Sequence, residues 1–324
     1  MTGPVLSEFG YVKSRKGDLG IEIEVEGKEP LPLLENDPIW KAKKEDSLRF
    51  HGMEYITNKP ISILDKTKAI YDICKVLNKH KLVTDSPRTS IHVHKNVTKK
   101  TPKQIVTGIV AFWAVENILA RMCGEDRESN LFCMRLKDAE AVLPFVIESL
   151  DAYPPLQLND KVRYAGLNTS AINKFGSLEV RLKGGTTDHE EIDEWTTIIH
   201  DLFENAWNKY KDPADFFDSV IQEGCLATLE KLFGSSFTRK ITKKVFDYVT
   251  LMEENLVIIS ALAYAKDWDI WEEQLTEKFK KRQMPSSLKA MKMDLGEYTL
   301  SPGGLSYLTI NAQPNTVMYD DIEP

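Results

Sequence analysis

Glu22 and Glu24, His92 and His94, and Glu179 and Arg181 are pairs of ionisable residues set two apart, and Asp46 and Glu54 bracket a further short segment. In an extended strand, residues two apart share a face, so each pair can point one way while its apolar neighbours pack behind. Glu22, Glu24, Glu54 and Glu179 with His92 would supply hard oxygen ligands and one nitrogen, a set that suits Mg2+ or Mn2+ better than a structural zinc. An arginine on the same face as a ligand can hold a phosphoryl oxygen through paired hydrogen bonds, and Arg181 stands at that spacing from Glu179. These residue types point to a divalent-cation and phosphate site carried on a sheet.

The elements that must position them are legible as alternation. Ile21, Ile23 and Val25 alternate with Glu22, Glu24 and Glu26, Ile91 and Val93 with His92 and His94, and Leu178, Val180 and Leu182 with Glu179, Arg181 and Lys183. Half-buried strands have this pattern. A sheet with one wet face would show it too, but Thr, Lys, Gln and Ser would serve that purpose as well as Glu and His. Asp46 to Pro60 reads as a hairpin turning near His51 and Gly52. Helical periodicity covers 65–80, and Thr101-Pro102 opens a second helix running toward Cys123, as N-cap and first-turn proline. From Asp188 the pattern is nearly all helical, over 192–210, 213–223, 226–233, 240–265 and 270–282. Asp188 or Thr187 caps the first of these.

The chain divides in this reading into a catalytic core over 1–187 and a mainly helical C-terminal region over 188–324, with an irregular tail from about residue 301. Its 42 basic and 49 acidic residues give a net charge of -7, and basic runs are short, such as Lys41 to Lys44. Nucleic acid is a poor candidate for the main partner, and those lysines read as solvated surface. The start lacks the features of a signal peptide, no stretch reads as the ~18 apolar residues of a membrane span, and the four cysteines are widely spaced. The expectation is a cytoplasmic protein with reduced thiols. His51, His80, His189 and His200 read as turn, helix-surface or capping residues, and Trp113, Trp195, Trp207, Trp268 and Trp271 as core.

Taken in order, Gly20-Ile21-Glu22-Ile23-Glu24, Asp46-Ser47 followed by Gly52-Met53-Glu54, His92-Val93-His94, Arg163-Tyr164 with Asn168, and Glu179-Val180-Arg181 resemble the amidoligase family. That family belongs to the carboxylate-amine ligase superfamily of glutamine synthetase and glutamate-cysteine ligase. The resemblance spans about residues 18–185. It implies an α+β fold with a curved, mainly antiparallel sheet of the glutamine-synthetase type, flanked by helices and followed by a helical region. It also implies ATP and Mg2+ (or Mn2+) as cofactors, with a carboxylate and an amine joined through an acyl phosphate. In that scheme Glu22, His92 and Glu179 hold one cation, and Glu24, Glu54 and Asp46 another. His94 and Asn168 lie beside the nucleotide, Arg181 stabilises the transferring phosphoryl group, and Arg163 meets phosphate or the substrate carboxylate.

Two other classes stay open at this point: a phosphotransferase acting on a guanidino or amine group, and a non-catalytic binding protein that keeps the fold. The substrates, which range from amino acids and polyamines to peptide or protein side chains, and the oligomeric state are not written in the sequence.

Overall fold

The computed structural model of the chain describes residues 3–83, 86–128, 130–139, 141–158 and 163–283. Six strands form one sheet: β1 (Leu19–Gly27), β2 (Trp40–Lys44), β3 (His51–Thr57), β4 (Ser90–Asn96), β5 (Leu167–Asn168) and β6 (Ser177–Gly184). Their order is β2-β3-β1-β4-β6-β5, and each neighbouring pair is antiparallel. The alternating apolar residues, among them Ile21, Ile23, Tyr55, Val93 and Val180, are buried on one face. Strict alternation then sends Glu22, Glu24, Glu54, His92, His94 and Glu179 to the other.

The helices are α1 (Lys66–Leu77), α2 (Pro102–Cys123), α3 (Glu125–Glu128), α4 (Val142–Ser149), α5 (Ala171–Phe175), α6 (His189–Lys209), α7 (Pro213–Glu223), α8 (Cys225–Lys244), α9 (Tyr248–Ala263) and α10 (Trp268–Gln283). α2 packs on β6 and α6 on β4, α1 lies against α6, and α7, α8 and α9 surround α2. The result is a mixed fold, a six-stranded antiparallel sheet flanked by helices. Residues Met1–Phe279 form one compact unit, so α6 to α9 share it with the sheet. Lys280–Pro324 is a second unit, and the tail expected from residue 301 lies outside the described residues.

Thr101 and Gln104 cap α2 reciprocally, at 3.3 Å and 3.0 Å, with Pro102 in the first turn as expected. α2 is long and apolar enough to cross a membrane by length and composition, which the sequence reading missed, and 89% of its apolar window is buried inside the protein. A helix apolar all round belongs in an interior. Trp113, Trp195, Trp207, Trp268 and Trp271 are buried and the four cysteines are free, both as expected. Asp188 accepts hydrogen bonds from the Glu190 and Glu191 amides and so caps α6.

Two expectations are corrected. The β2–β3 hairpin turns over residues 45–50, and His51 and Gly52 begin β3, where they pair with Gly27 and Glu26. The helices expected over 226–233 and 240–265 are instead divided at 245–247. α8 continues past Phe233 through a kink at Gly234, whose φ of 75° is one that glycine adopts readily.

Glu116 of α2 is 1% exposed, and one of its carboxylate oxygens accepts from the Leu136 amide at 2.7 Å while the other has no partner. Burial pushes this carboxyl up to about 8, against the opposing pull of the Leu136 amide and Arg135. Between the ordinary value of 4.5 and about 8, the folded chain holds a proton that the unfolded chain releases. The Glu116 contribution is therefore fully present below the lower value and is lost as pH rises, at about 1.4 kcal/mol per pH unit. Glu116→Gln is expected to gain stability on the wild type steadily from pH 5 to pH 8, read from denaturant midpoints. A constant difference between the two proteins across that range would show that Glu116 is ionised in the fold.

Candidate functional site

The pairing register brings the polar rows together. Glu22 lies opposite His92, Glu24 opposite Glu54, His94 opposite Glu179, and Asn168 opposite Glu179 on its other side. Glu22, Glu24 and His92 each offer a ligand atom, all within 4.8 Å of one another. His92 Nδ1 stands 2.5 Å from Glu22 Oε1, and its Nε2 stands 2.6 Å from Ser90 Oγ. Ser90 Oγ donates to Glu24 and also faces His92 Nε2, while Arg181 Nη1 approaches His92 Nδ1 at 3.4 Å.

Glu179 is held from two sides. Arg181 donates to one of its oxygens, and Asn168 Nδ2 donates to the other at 2.7 Å. The Asn168 carbonyl is in turn taken by Ser170, through the backbone amide at 3.0 Å and the hydroxyl at 2.7 Å. Asn168 thus orients Glu179, and its polar atoms are engaged by protein partners. His94 is fixed by Ser177 Oγ at 3.0 Å and by a T-shaped contact with the Phe175 ring, and its Nε2 lies 3.7 Å from Glu22 and 4.0 Å from Glu179.

Packing so many acids together shifts their proton affinities. Burial would raise Glu22 and Glu179, but His92 and His94 hold Glu22 well below the usual carboxylate range, and His94, Arg181 and His92 lower Glu179. Burial would lower His94, and the two carboxylates raise it. Glu24 is raised by burial in spite of His92 and Ser90. Glu54 is pushed up to about 8 by burial and by Glu22, with Lys43 pulling the other way at 3.5 Å. Burial thus leaves Glu24 and Glu54 raised, while the histidines and Arg181 hold Glu22 and Glu179 low, so neighbouring carboxyls of one cluster differ in proton affinity.

Two cavities open on this face. One, of about 410 Å³, is rimmed by Arg15, Lys41, Lys43 and Lys59; the other, of about 330 Å³, by Arg88, Phe132, Arg163, Tyr164 and Arg181. Glu22, Glu54, His94 and Phe175 border both. Glu22 and Glu54 therefore stand in the wall between two chambers, while Glu24 and Glu179 line the second alone.

Asp46 does not join the cluster. It stands at the tip of the β2–β3 turn with its side chain 91% exposed, 3.7 Å from Lys44, because the turn lies earlier in the chain than expected. Glu45 and Ser47 line the second cavity instead. Arg163 is exposed at the mouth of that cavity, its guanidinium over the Tyr164 ring at 4.7 Å and its Nη2 2.5 Å from the Tyr164 hydroxyl. Lys41 and Lys43, expected to be plain solvated surface, rim the first cavity. His200, half-buried on α6, also has its Nδ1 3.0 Å from the buried Lys95 amine behind the sheet. Ser90 and Ser177 were missed, although each precedes a site residue by two, His92 and Glu179, and so shares its face.

No family model matches this chain, and no curated protein matches it, so the reading of the site rests on these residues and their geometry.

Proposed function

We propose that the chain is an ATP-dependent carboxylate-amine ligase, and that its sheet is of the glutamine-synthetase type. The observation that carries this reading is the convergence of Glu22, Glu24 and His92 within 4.8 Å, with Glu22 bordering both cation-rimmed cavities and Glu24 the second. The donor set, carboxylate oxygens with one imidazole, fits Mg2+ or Mn2+. Glu22, His92 and Glu179 would hold one such cation, and Glu24 and Glu54 a second, without Asp46. Bound there, the cations would neutralise phosphate oxygens.

The chain's own residues supply the rest. The exposed rings of Phe132 and Tyr164, packed edge to face at 6.1 Å, offer a stacking platform for a base at the mouth of the second cavity, with Arg163 beside them for phosphate. Arg181 lies deeper, beside Glu179, where its guanidinium faces the developing charge of a transferring phosphoryl group. A substrate carboxylate oxygen attacks the terminal phosphorus, the bond to the bridging oxygen breaks, and ADP leaves. An amine then loses its proton as it attacks the acyl carbon, and phosphate departs.

The test is turnover of ATP and Mg2+ by the purified chain with pooled amino acids and polyamines, read by mass spectrometry. ADP together with a condensed product is the expected result. A phosphorylated product without an amide would assign a phosphotransferase, and ATP left intact with every pool would remove the ligase reading for small substrates.

A further inference from the structure

The first cavity carries a charge pattern that the ligase reading does not use. Arg15 precedes β1, Lys41 lies on β2 and Lys59 follows β3, yet all three converge on one chamber. Among the described residues, none of their charged ends meets a carboxylate or a hydrogen-bond acceptor, whereas Lys43 beside them is paired with Glu45 and Glu54. Lysines on an edge strand also discourage sheet-to-sheet association, and β2 is an edge. That accounts for Lys41 and leaves Arg15 and Lys59, which come from other segments, unexplained.

Their backbones are fixed. Asn96 donates to the carbonyls of Arg15 and Gly17 at 3.1 Å and 2.7 Å, and the Arg15 amide donates to Thr98 Oγ1 at 3.2 Å. Asn58, next to Lys59, is tied through its amide to the Ile39 carbonyl at 2.7 Å. The chamber grades from this exposed cationic rim, past Ile56 and Phe175, to Glu22, Glu54 and His94 at the shared wall. In a chain of net charge -7, three unpaired cations on one rim are a concentrated attraction for negative charge.

We infer that this chamber takes the carboxylate substrate, and that the substrate is an oligocarboxylic acid such as an acidic peptide. One carboxylate reaches the shared wall, and at least one other stays on Arg15, Lys41 and Lys59. The assignment of the reacting end rests on the ligase reading; the anion site does not.

Calorimetric binding of triglutamate and, separately, of Mg-ADP tests this in the wild type, in Lys41→Glu/Lys59→Glu, and in Lys243→Glu/Lys278→Glu, which makes the same charge change outside the cavity. The rim variant is expected to bind triglutamate about tenfold more weakly or worse, and Mg-ADP within about twofold of wild type, while the remote variant binds both as wild type does. Triglutamate binding that is absent in the wild type, or unchanged by the rim substitutions, overturns the inference. So does selective loss of Mg-ADP in the rim variant, which would place the nucleotide in this chamber. Rim-dependent triglutamate binding with no Mg-ADP binding in any protein would keep the anion site and remove the ligase.

Discussion

Glu22→Gln is expected to abolish Mn2+ binding and to cut ATP turnover about 10³-fold while leaving the protein folded. Glu22 borders both cavities and touches both imidazoles, with Oε1 2.5 Å from His92 Nδ1 and Oε2 3.7 Å from His94 Nε2. Burial works against its charge, and the two histidines more than compensate, so the folded protein presents an ionised acceptor there. An amide keeps the shape and the hydrogen-bonding capacity but cannot supply a charged oxygen to a cation. The same change relieves Glu54, which Glu22 helps to hold at about 8, so loss of function need not cost stability. Calorimetry with Mn2+ and the turnover assay read the two effects independently. A variant that binds Mn2+ and hydrolyses ATP like the wild type would leave this face without a cation site.

Much of that face is legible from residue types alone, because a strand fixes orientation by parity. Once Ile21, Ile23 and Val25 are assigned to the core, Glu22 and Glu24 must face away from it, and the same holds for His92, His94 and Glu179. Parity does not say where a hairpin turns. Asp46 is placed by the turn at 45–50, whose form depends on tertiary contacts: Glu26 accepts from the Arg49 amide at 2.7 Å, and Arg88 donates to the Ser47 carbonyl at 2.8 Å. Those partners are 23 and 41 residues away in the chain. Arg15, Lys41 and Lys59 were invisible as a group for a related reason, since each alone is an ordinary exposed cation.

The same limit applies to how far along β6 the site extends. Spacing puts Arg181 on the face of Glu179, but the pairing of β6 with β4 slips there: Ile91 pairs with Lys183 while Val93 pairs with Val180. Three steps along β6 answer two along β4, so an extra residue is accommodated at Arg181 and Leu182. Such a bulge re-aims a side chain and leaves ladder groups without partners. No local pattern announces it, because it is a property of two strands together.

Arg127 of α3 supplies those partners, and replacing it is expected to misaim Arg181. Its Nε donates to the Leu182 carbonyl at 2.8 Å and its Nη2 to the Arg181 carbonyl at 2.7 Å, from a position only 5% exposed. Arg127→Met would leave both carbonyls without those donors in buried surroundings, at a cost of about 3 kcal/mol, and kcat should fall about 10²-fold through a displaced Arg181 guanidinium. Nucleotide KM should move much less, since Arg127 reaches neither cavity and acts only as a positioning residue. Arg127→Lys separates positioning from stability. It keeps the charge and offers a compact ammonium in place of a rigid fork, so it should recover part of the melting temperature while kcat stays low. If kcat instead returns in step with melting temperature, or if both variants turn over at the wild-type rate well below their melting points, Arg127 serves the fold alone and the bulge does not set the aim of Arg181.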